Sequence, residues 1–484
     1  MPKPDITSPV SIVWFRRDLR LADNLALDAA CRRGGPVICI FIREPGDALS
    51  GANGAAQAWW LHHSLERLDQ ALRACGNRLI LRTGSPEEVL SRIADETGAD
   101  CLFWNRRYDP DGIRADTDLK SKLRERFAKV ESFAGFLLHE PQRLLTKDGR
   151  PYQVYTPFWR ALEGSLIPLD PIPAPTAIQA VNTPMHSESL ADWALLPTKP
   201  DWASRFSEIW TPGETAAQAT LSAFLDQAIK GYKARRDLPA GRTTSLLSPH
   251  LAFGEISPHR IWNTVRALPD TIPSDDTTHF LKELVWRDFS WHLLFHRPDL
   301  ATTNLNSKFD AFPWQDNETL LAQWQRGLTG YPIIDAGMRQ LWQHGWMHNR
   351  VRMVVASFLI KDLLIDWRLG ERWFRDTLVD ADQASNAASW QWVAGCGADA
   401  APYFRIFNPA KQGETFDLDG TYIRTFCPEL AKLPDRFIHR PHEAPSEILR
   451  SAGIILGKTY PHPMIAHDFA RKRALEIFQS LGNS

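Results

Sequence analysis

The first 135 residues alternate short β-rich runs with helical patterns, and this alternation narrows the fold more than any other feature of the chain. Ile12–Phe15, Val37–Ile42, Arg78–Arg82, Cys101–Trp104 and Val130–Phe133 read as strands. Gln57–Ala74 and Pro86–Thr97 read as helices, the second with Ser85 as N-cap and Pro86 at its first position. Strands joined through helices pair in parallel, so the expectation is an N-terminal α/β domain, residues 1–135, built on a parallel doubly wound sheet. Such sheets bind ligands at the carboxyl ends of their strands. Yet Trp14-Phe-Arg-Arg-Asp-Leu-Arg20 follows the first strand, where a dinucleotide fold would show G-x-G-x-x-G. That argues against a Rossmann-type NAD or FAD site at this position.

Leu166 to Pro212 is Pro-rich and aperiodic, and 136–212 is expected to be an interdomain linker. From residue 213 to 484 the period becomes helical, with helices over Glu214–Gly231, Ser257–Leu268, Asp276–Phe295, Tyr331–His344, Asn349–Asp366 and Glu371–Leu378. The second domain is therefore expected to be large and all-α. The six cysteines form no C-x-x-C pair and no Cys/His spacing typical of zinc, so reduced thiols and no metal site are expected. A net charge of −1 gives no global basic signal, so any contact with nucleic acid must come from a local patch. Met1 to Val10 has no apolar signal core, and the longest apolar run, Met353 to Ile360, is too short to span a bilayer. The expectation is a cytoplasmic monomer without membrane contact.

Tryptophan is the outlier, with 19 in the chain and six between residues 342 and 392. They thread through two polar clusters, one of Asn349, Arg350, Arg352 and Met353, the other of Asp380, Asp382 and Asn386. Dense indoles beside such groups point to an aromatic path next to a polar cofactor pocket, suited to electron transfer or base stacking. Arg352 and Asp380 could pair, and Asn386 could reach a heteroatom on a cofactor ring; a self-satisfied polar network capping helix ends fits the spacing equally well. Glu283, Trp286 and Arg287 fall on neighbouring helical turns, where they could hold a base edge, stack on it and bind a phosphate, or simply form a surface Glu–Arg pair. The run Gly241-Arg-Thr-Thr244-Ser245-Leu246-Leu247-Ser248-Pro249 could cradle a phosphate, or be an ordinary helix start.

These motifs, in order, resemble the photolyase/cryptochrome family over nearly the whole chain. The segments that carry the resemblance are Trp14 to Asn24, Tyr232 to Pro249, Glu283-Leu-Val-Trp-Arg287, Thr329 to Asp335, Trp346-Met-His-Asn349, Asp380 to Trp392 and Tyr403 to Gln412. The resemblance implies an FAD held in the helical domain by Tyr232, Thr244, Ser245, Leu246, Leu247, Ser248, Phe280, Arg287, Asn349, Arg352, Asp380 and Asp382, with Asn386 facing flavin N5. Leu246 stands where bacterial members often carry Arg, and Phe280 where some carry Trp. The resemblance further implies an electron-transfer chain of Trp390, Trp367 and Trp314, with Trp373 as a candidate side branch and Trp342 and Trp346 left to packing. It implies light-driven repair of cyclobutane pyrimidine dimers by an electron from excited, fully reduced FAD. Glu283, Trp286, Trp392, Asn349 and Met353 would surround the lesion, where (6-4) repair would need histidines at 349 and 353. Arg236, Arg350 and Gln412, with Glu283 and Trp286, would contact DNA. The alternative is a cryptochrome-type blue-light photoreceptor with little or no repair. Ala444 to Pro463 is similar to the end of the plant cryptochrome core, which places the chain near the class III photolyases. An antenna pigment between the two domains is implied, methenyltetrahydrofolate first, with a deazaflavin or an empty site as the alternatives; Asn105 to Asp109 lies where relatives begin their antenna-site loop, a match too loose to assign its residues.

Overall fold

A computed structural model describes residues 9–44, 54–399 and 404–481; Tyr403 lies outside the described residues. Strands β1 (Ser11–Phe15), β2 (Val37–Arg43), β3 (Leu79–Thr83), β4 (Cys101–Asn105) and β5 (Lys129–Phe133) form one sheet in the order β3-β2-β1-β4-β5. Every pairing is parallel, as the alternation required. Pleating sends Val13, Phe15, Phe41 and Phe103 to one face, under helices α1 (Leu25–Arg33) and α2 (Ala55–Ala74). Ile12, Trp14, Ile40 and Trp104 go to the other, under α3 (Pro86–Thr97) and α4 (Pro110–Leu123). Both faces are covered, which is why the strands read as apolar runs without alternation. The sequence pattern missed α1, whose start is set by Asn24: its side chain accepts the Leu27 N–H at 3.1 Å.

The strand order reverses between β1 and β4, and the arginines after β1 join this end of the sheet to the rest of the protein. Arg16 pairs with Asp116 at 2.6 Å and donates to the Asn105 carbonyl. Arg20, fully buried, donates to the Gly254 carbonyl at 2.8 Å in the second domain. Leu21 and Ala22 give their N–H groups to the Glu214 carboxylate at 2.7 and 3.0 Å. Gly254 has a φ of +64°, and a Cβ there would lie 2.0 Å from the Arg17 carbonyl oxygen, so only glycine permits this docking.

Helical structure dominates after Gly213. One hydrophobic cluster surrounds the long helix Ser274–His296; a second surrounds helices Pro332–His344, Asn349–Ser357 and Trp367–Thr377. Within 136–212, helix α5 (Tyr155–Ser165) packs Tyr155, Phe158 and Trp159 into the first of these clusters. The helix expected over Asn349–Asp366 changes character after Ser357: Phe358–Asp362 is a wider π turn, closed by Leu363 N–H donating to the Phe358 carbonyl at 3.0 Å. That turn carries two buried charges inward, Lys361 to the Arg405 carbonyl and Asp362 to His467 at 2.6 Å, which regular helical spacing would not deliver. No helix among the described residues is long and apolar enough to cross a membrane.

Candidate active site

Asp380 sits in the short connection between helices Trp367–Thr377 and Gln383–Ala394 and gathers two of the expected cofactor ligands. Its Oδ2 accepts from Ser248 Oγ at 2.6 Å and from Arg352 Nη2 at 2.8 Å, the ion pair anticipated from the polar clusters. Arg352 also donates from Nε to the Met347 carbonyl at 2.7 Å. Two residues on, Asp382 caps the next helix by accepting the Ser385 N–H, and its Oδ2 accepts from Trp291 Nε1 at 2.9 Å. The opposite wall is Arg287 on the Ser274–His296 helix. It donates to the Phe136 carbonyl at 2.8 Å and lies 4.1 Å over the Phe136 ring, with Asp382 Oδ2 at 4.0 Å. The surface Glu283–Arg287 pair does not form. Beside it, burial pushes the Asp288 carboxyl up to about 7, against the pull of Arg287 and of the Leu138 and His139 N–H groups it accepts.

The Thr244–Ser248 segment enters the same region. Leu246 adopts a φ of +54°, uncommon for a branched side chain, and Leu247 is anchored in the core. Tyr232 and Phe280 meet edge to face at 5.5 Å and are both buried. Asn386 donates from its amide nitrogen to the Glu371 carbonyl at 3.0 Å and the Glu371 carboxylate at 2.9 Å, leaving its carbonyl oxygen, an acceptor with no proton to give. Asp380 Oδ1 and Arg287 Nη2 are buried without a partner among the described residues. Buried polar atoms of that kind are met by a polar ligand or by water. Acceptors, a guanidinium and a hydroxyl-bearing loop at one locus suit the ribityl hydroxyls, ring heteroatoms and phosphates of FAD.

A second group faces outward from the same helix. Trp286 stacks on Tyr155 at 3.6 Å with the planes 5° apart, making a two-layer aromatic platform that no sequence signal marked. Glu283, one turn earlier, is contacted by Arg236. Asn349, Arg350 and Met353 share the first turns of the Asn349–Ser357 helix, whose N-cap is His348, and Arg350 Nη2 donates to Asp237 Oδ2 at 2.8 Å. Trp392 donates to the Asp399 carbonyl at 3.0 Å, and Gln412 lies on the Pro409–Phe416 helix.

The three tryptophans of the expected chain grade from core to surface. Trp390 is buried against Phe374 at 5.0 Å and Trp324 at 6.3 Å. Gly370 makes room for it, since a Cβ there would come within 2.2 Å of the indole. Trp367 is fully buried and donates to Asn304 Oδ1 at 2.9 Å, while Trp314 is partly exposed against Phe312 at 4.3 Å. Trp346 packs on Trp210, as expected of a packing residue. Trp342 does not: it is 51% exposed and lies parallel to Trp373, ring centroids 6.2 Å apart, beside a groove of about 450 Å³ that Arg326 and Arg339 flank. The Asn105–Asp109 turn encloses only about 10 Å³, with Arg106 and Tyr108 both bound to Glu140.

A model of the FAD binding domain of DNA photolyase matches residues 280–480, and one of DNA photolyase matches residues 11–176. The chain is 60% identical over 475 residues to a deoxyribodipyrimidine photo-lyase of Agrobacterium fabrum, covering 98% of each. It is 37% identical to cryptochrome-1 of Arabidopsis thaliana over 97% of this chain and 70% of the plant protein. The crystal structure of a class III photolyase from Agrobacterium tumefaciens superposes with a TM-score of 0.96 at 59% identity, covering 99% of this chain and 98% of that one.

Proposed function

The chain belongs to the photolyase/cryptochrome family, and we propose that within it this protein is an FAD-dependent deoxyribodipyrimidine photolyase that repairs cyclobutane pyrimidine dimers in DNA. The observation that carries the reading is the side-chain cluster at Glu283: a carboxylate and a partly exposed indole backed by Tyr155, on the helix that carries Arg287, lie together with the guanidiniums of Arg236 and Arg350. A flipped dimer needs an apolar wall, a partner for its polar edge and cations for the flanking phosphates.

The chemistry the flavin supplies when bound is the light-driven transfer of one electron out and its return, so splitting the two cyclobutane bonds involves no net oxidation. Ser248, Arg352, Asp380, Arg287 and Asp382 hold the cofactor, with Tyr232, Phe280 and the Thr244–Leu247 loop shaping the adenine and phosphate end. Asn386 is an amide with no acidic proton to give to flavin N5, where an aspartic acid could supply one; this favours repair over the cryptochrome-type reading. Trp286 and Trp392 form the walls of the lesion cavity, Asn349 and Met353 its floor, and Gln412 joins Arg236 and Arg350 at the DNA backbone. Glu283 accepts from a pyrimidine N–H. Trp390, Trp367 and Trp314 relay electrons inward from the surface.

The reduced protein, mixed with dimer-bearing DNA and illuminated with blue light, should restore thymine. Absence of repair with flavin bound and reducible would overturn the reading in favour of a photoreceptor. In Glu283→Ala, repair per absorbed photon should fall by about tenfold, the size expected for loss of a hydrogen bond to a charged group. An unchanged yield would remove Glu283 from the mechanism.

The antenna reading moves with the space available. About 10 Å³ at Asn105–Asp109 accommodates a water molecule. The groove at Trp342 and Trp373 offers indole faces and the Arg326 guanidinium, with Arg339 already paired to Glu429, which suits a flat, anionic pigment such as methenyltetrahydrofolate. Trp342→Ala should purify with its flavin spectrum intact and without the pigment's near-ultraviolet band. A band equal to that of the unaltered protein would place the pigment elsewhere.

A further inference from the structure

Arg350, Asp237, Arg236 and Glu283 form a line of alternating charge beside the proposed lesion cavity. Arg350 Nη2 donates to Asp237 Oδ2 at 2.8 Å, Asp237 Oδ1 lies 3.9 Å from Arg236 Nε, and Arg236 Nη1 contacts Glu283. The four side chains are 18, 32, 19 and 33% exposed, sheltered enough to feel one another strongly and open enough for a polyanion to reach. Both guanidiniums are also held by rings, Arg350 4.4 Å over Phe416 and Arg236 5.7 Å over Tyr232. His348 adds no competing charge: burial pushes its imidazole down to about 4, and its Nδ1 accepts the Arg350 N–H at 3.2 Å.

Resting on the photolyase reading, we propose that Asp237 is a specificity-determining residue that couples recognition of the flipped dimer to the grip on the DNA backbone. In the free protein two carboxylates occupy the two arginines. Undamaged duplex offers phosphates alone, so it must displace both carboxylates and leaves Glu283 without a partner in a half-buried place. A flipped dimer offers Glu283 an N–H. Arg236, released from Glu283, turns its charge toward Asp237, whose hold on Arg350 weakens. Arg350 then reaches the phosphate. The backbone grip thus tightens after the lesion has been read, and Asp237 is the link between the two events.

The test compares Asp237→Asn and Asp237→Glu with the unaltered holoprotein, by fluorescence anisotropy on a labelled duplex with and without one thymine dimer. Flavin absorbance reports that each variant is folded. Asp237→Asn should bind undamaged duplex about threefold more tightly, the scale of one partly exposed ion pair, and dimer-bearing duplex little differently, so its preference for damage falls. Asp237→Glu, which keeps the carboxylate, should retain the preference. An unchanged preference in Asp237→Asn, or equal weakening on both duplexes, would overturn the proposal while leaving the photolyase reading standing. Failure of the unaltered protein to prefer or repair dimers would overturn that reading first, and this proposal with it.

Discussion

Trp390→Phe should abolish light-driven reduction of oxidised flavin, while the variant reduced chemically in advance still repairs dimers. Three features support so large an effect. The Trp390 ring is buried in the helix that also carries Asn386, four residues earlier on the same face. Trp367 lies buried in the adjoining helix, with its indole N–H fixed by Asn304. Trp314, partly exposed, is where an external reductant can reach. Phenylalanine keeps the apolar contacts with Phe374 and Trp324 but is far harder to oxidise than an indole, so it interrupts the relay. The smaller ring leaves a modest cavity beside Gly370, with a stability cost of about 1–2 kcal/mol. A variant that folds and binds flavin but does not bleach under blue light in the presence of reductant is the expected result. Photoreduction at the unaltered rate would remove Trp390 from the path.

Much of this architecture is legible in local pattern, because strand and helix periods depend on neighbours two to four residues apart. The parallel sheet follows from βα alternation, and the Arg352–Asp380 pair follows from two polar clusters whose members lie only 28 residues apart. The strand order β3-β2-β1-β4-β5 carries no such local mark, since it depends on which edge each crossover selects. Helix α5 was hidden because Pro157 within its first turn makes Tyr155–Ser165 look like the proline-rich stretch that follows. The contacts of the Glu283 cluster join residues far apart: Arg236 with Glu283, Arg350 with Asp237, Trp286 with Tyr155. Asp237 had one visible signal, an acid directly after two arginines, but its partner lies 113 residues away. The residue type of Trp342 speaks for burial, whereas its exposure depends on what the tertiary fold leaves uncovered.

Asp380→Ala should yield protein that purifies nearly free of flavin. The carboxylate has three demands on it. Oδ2 is shared by Ser248 and the Arg352 guanidinium, and Oδ1, buried and unpartnered among the described residues, is the atom a cofactor donor would meet at the proposed site. Alanine removes all three. Arg352 keeps its bond to the Met347 carbonyl but loses its counter-charge, and breaking such a pair costs about 3 kcal/mol at the lower end of the range for buried pairs, appropriate because Arg352 is 23% exposed. If that cost falls on the cofactor-bound state, affinity for FAD drops by about a hundredfold. Asp380→Asn, which keeps the shape and one acceptor, should lie between the two. Arg352→Met alone should weaken binding too, and the double variant should lose less than the sum, because each single change already breaks the pair. Flavin-to-protein absorbance ratios and titration of stripped protein with FAD measure all four. A Asp380→Ala protein with a full complement of flavin would show that the pair merely joins two segments of the fold and does not hold the cofactor.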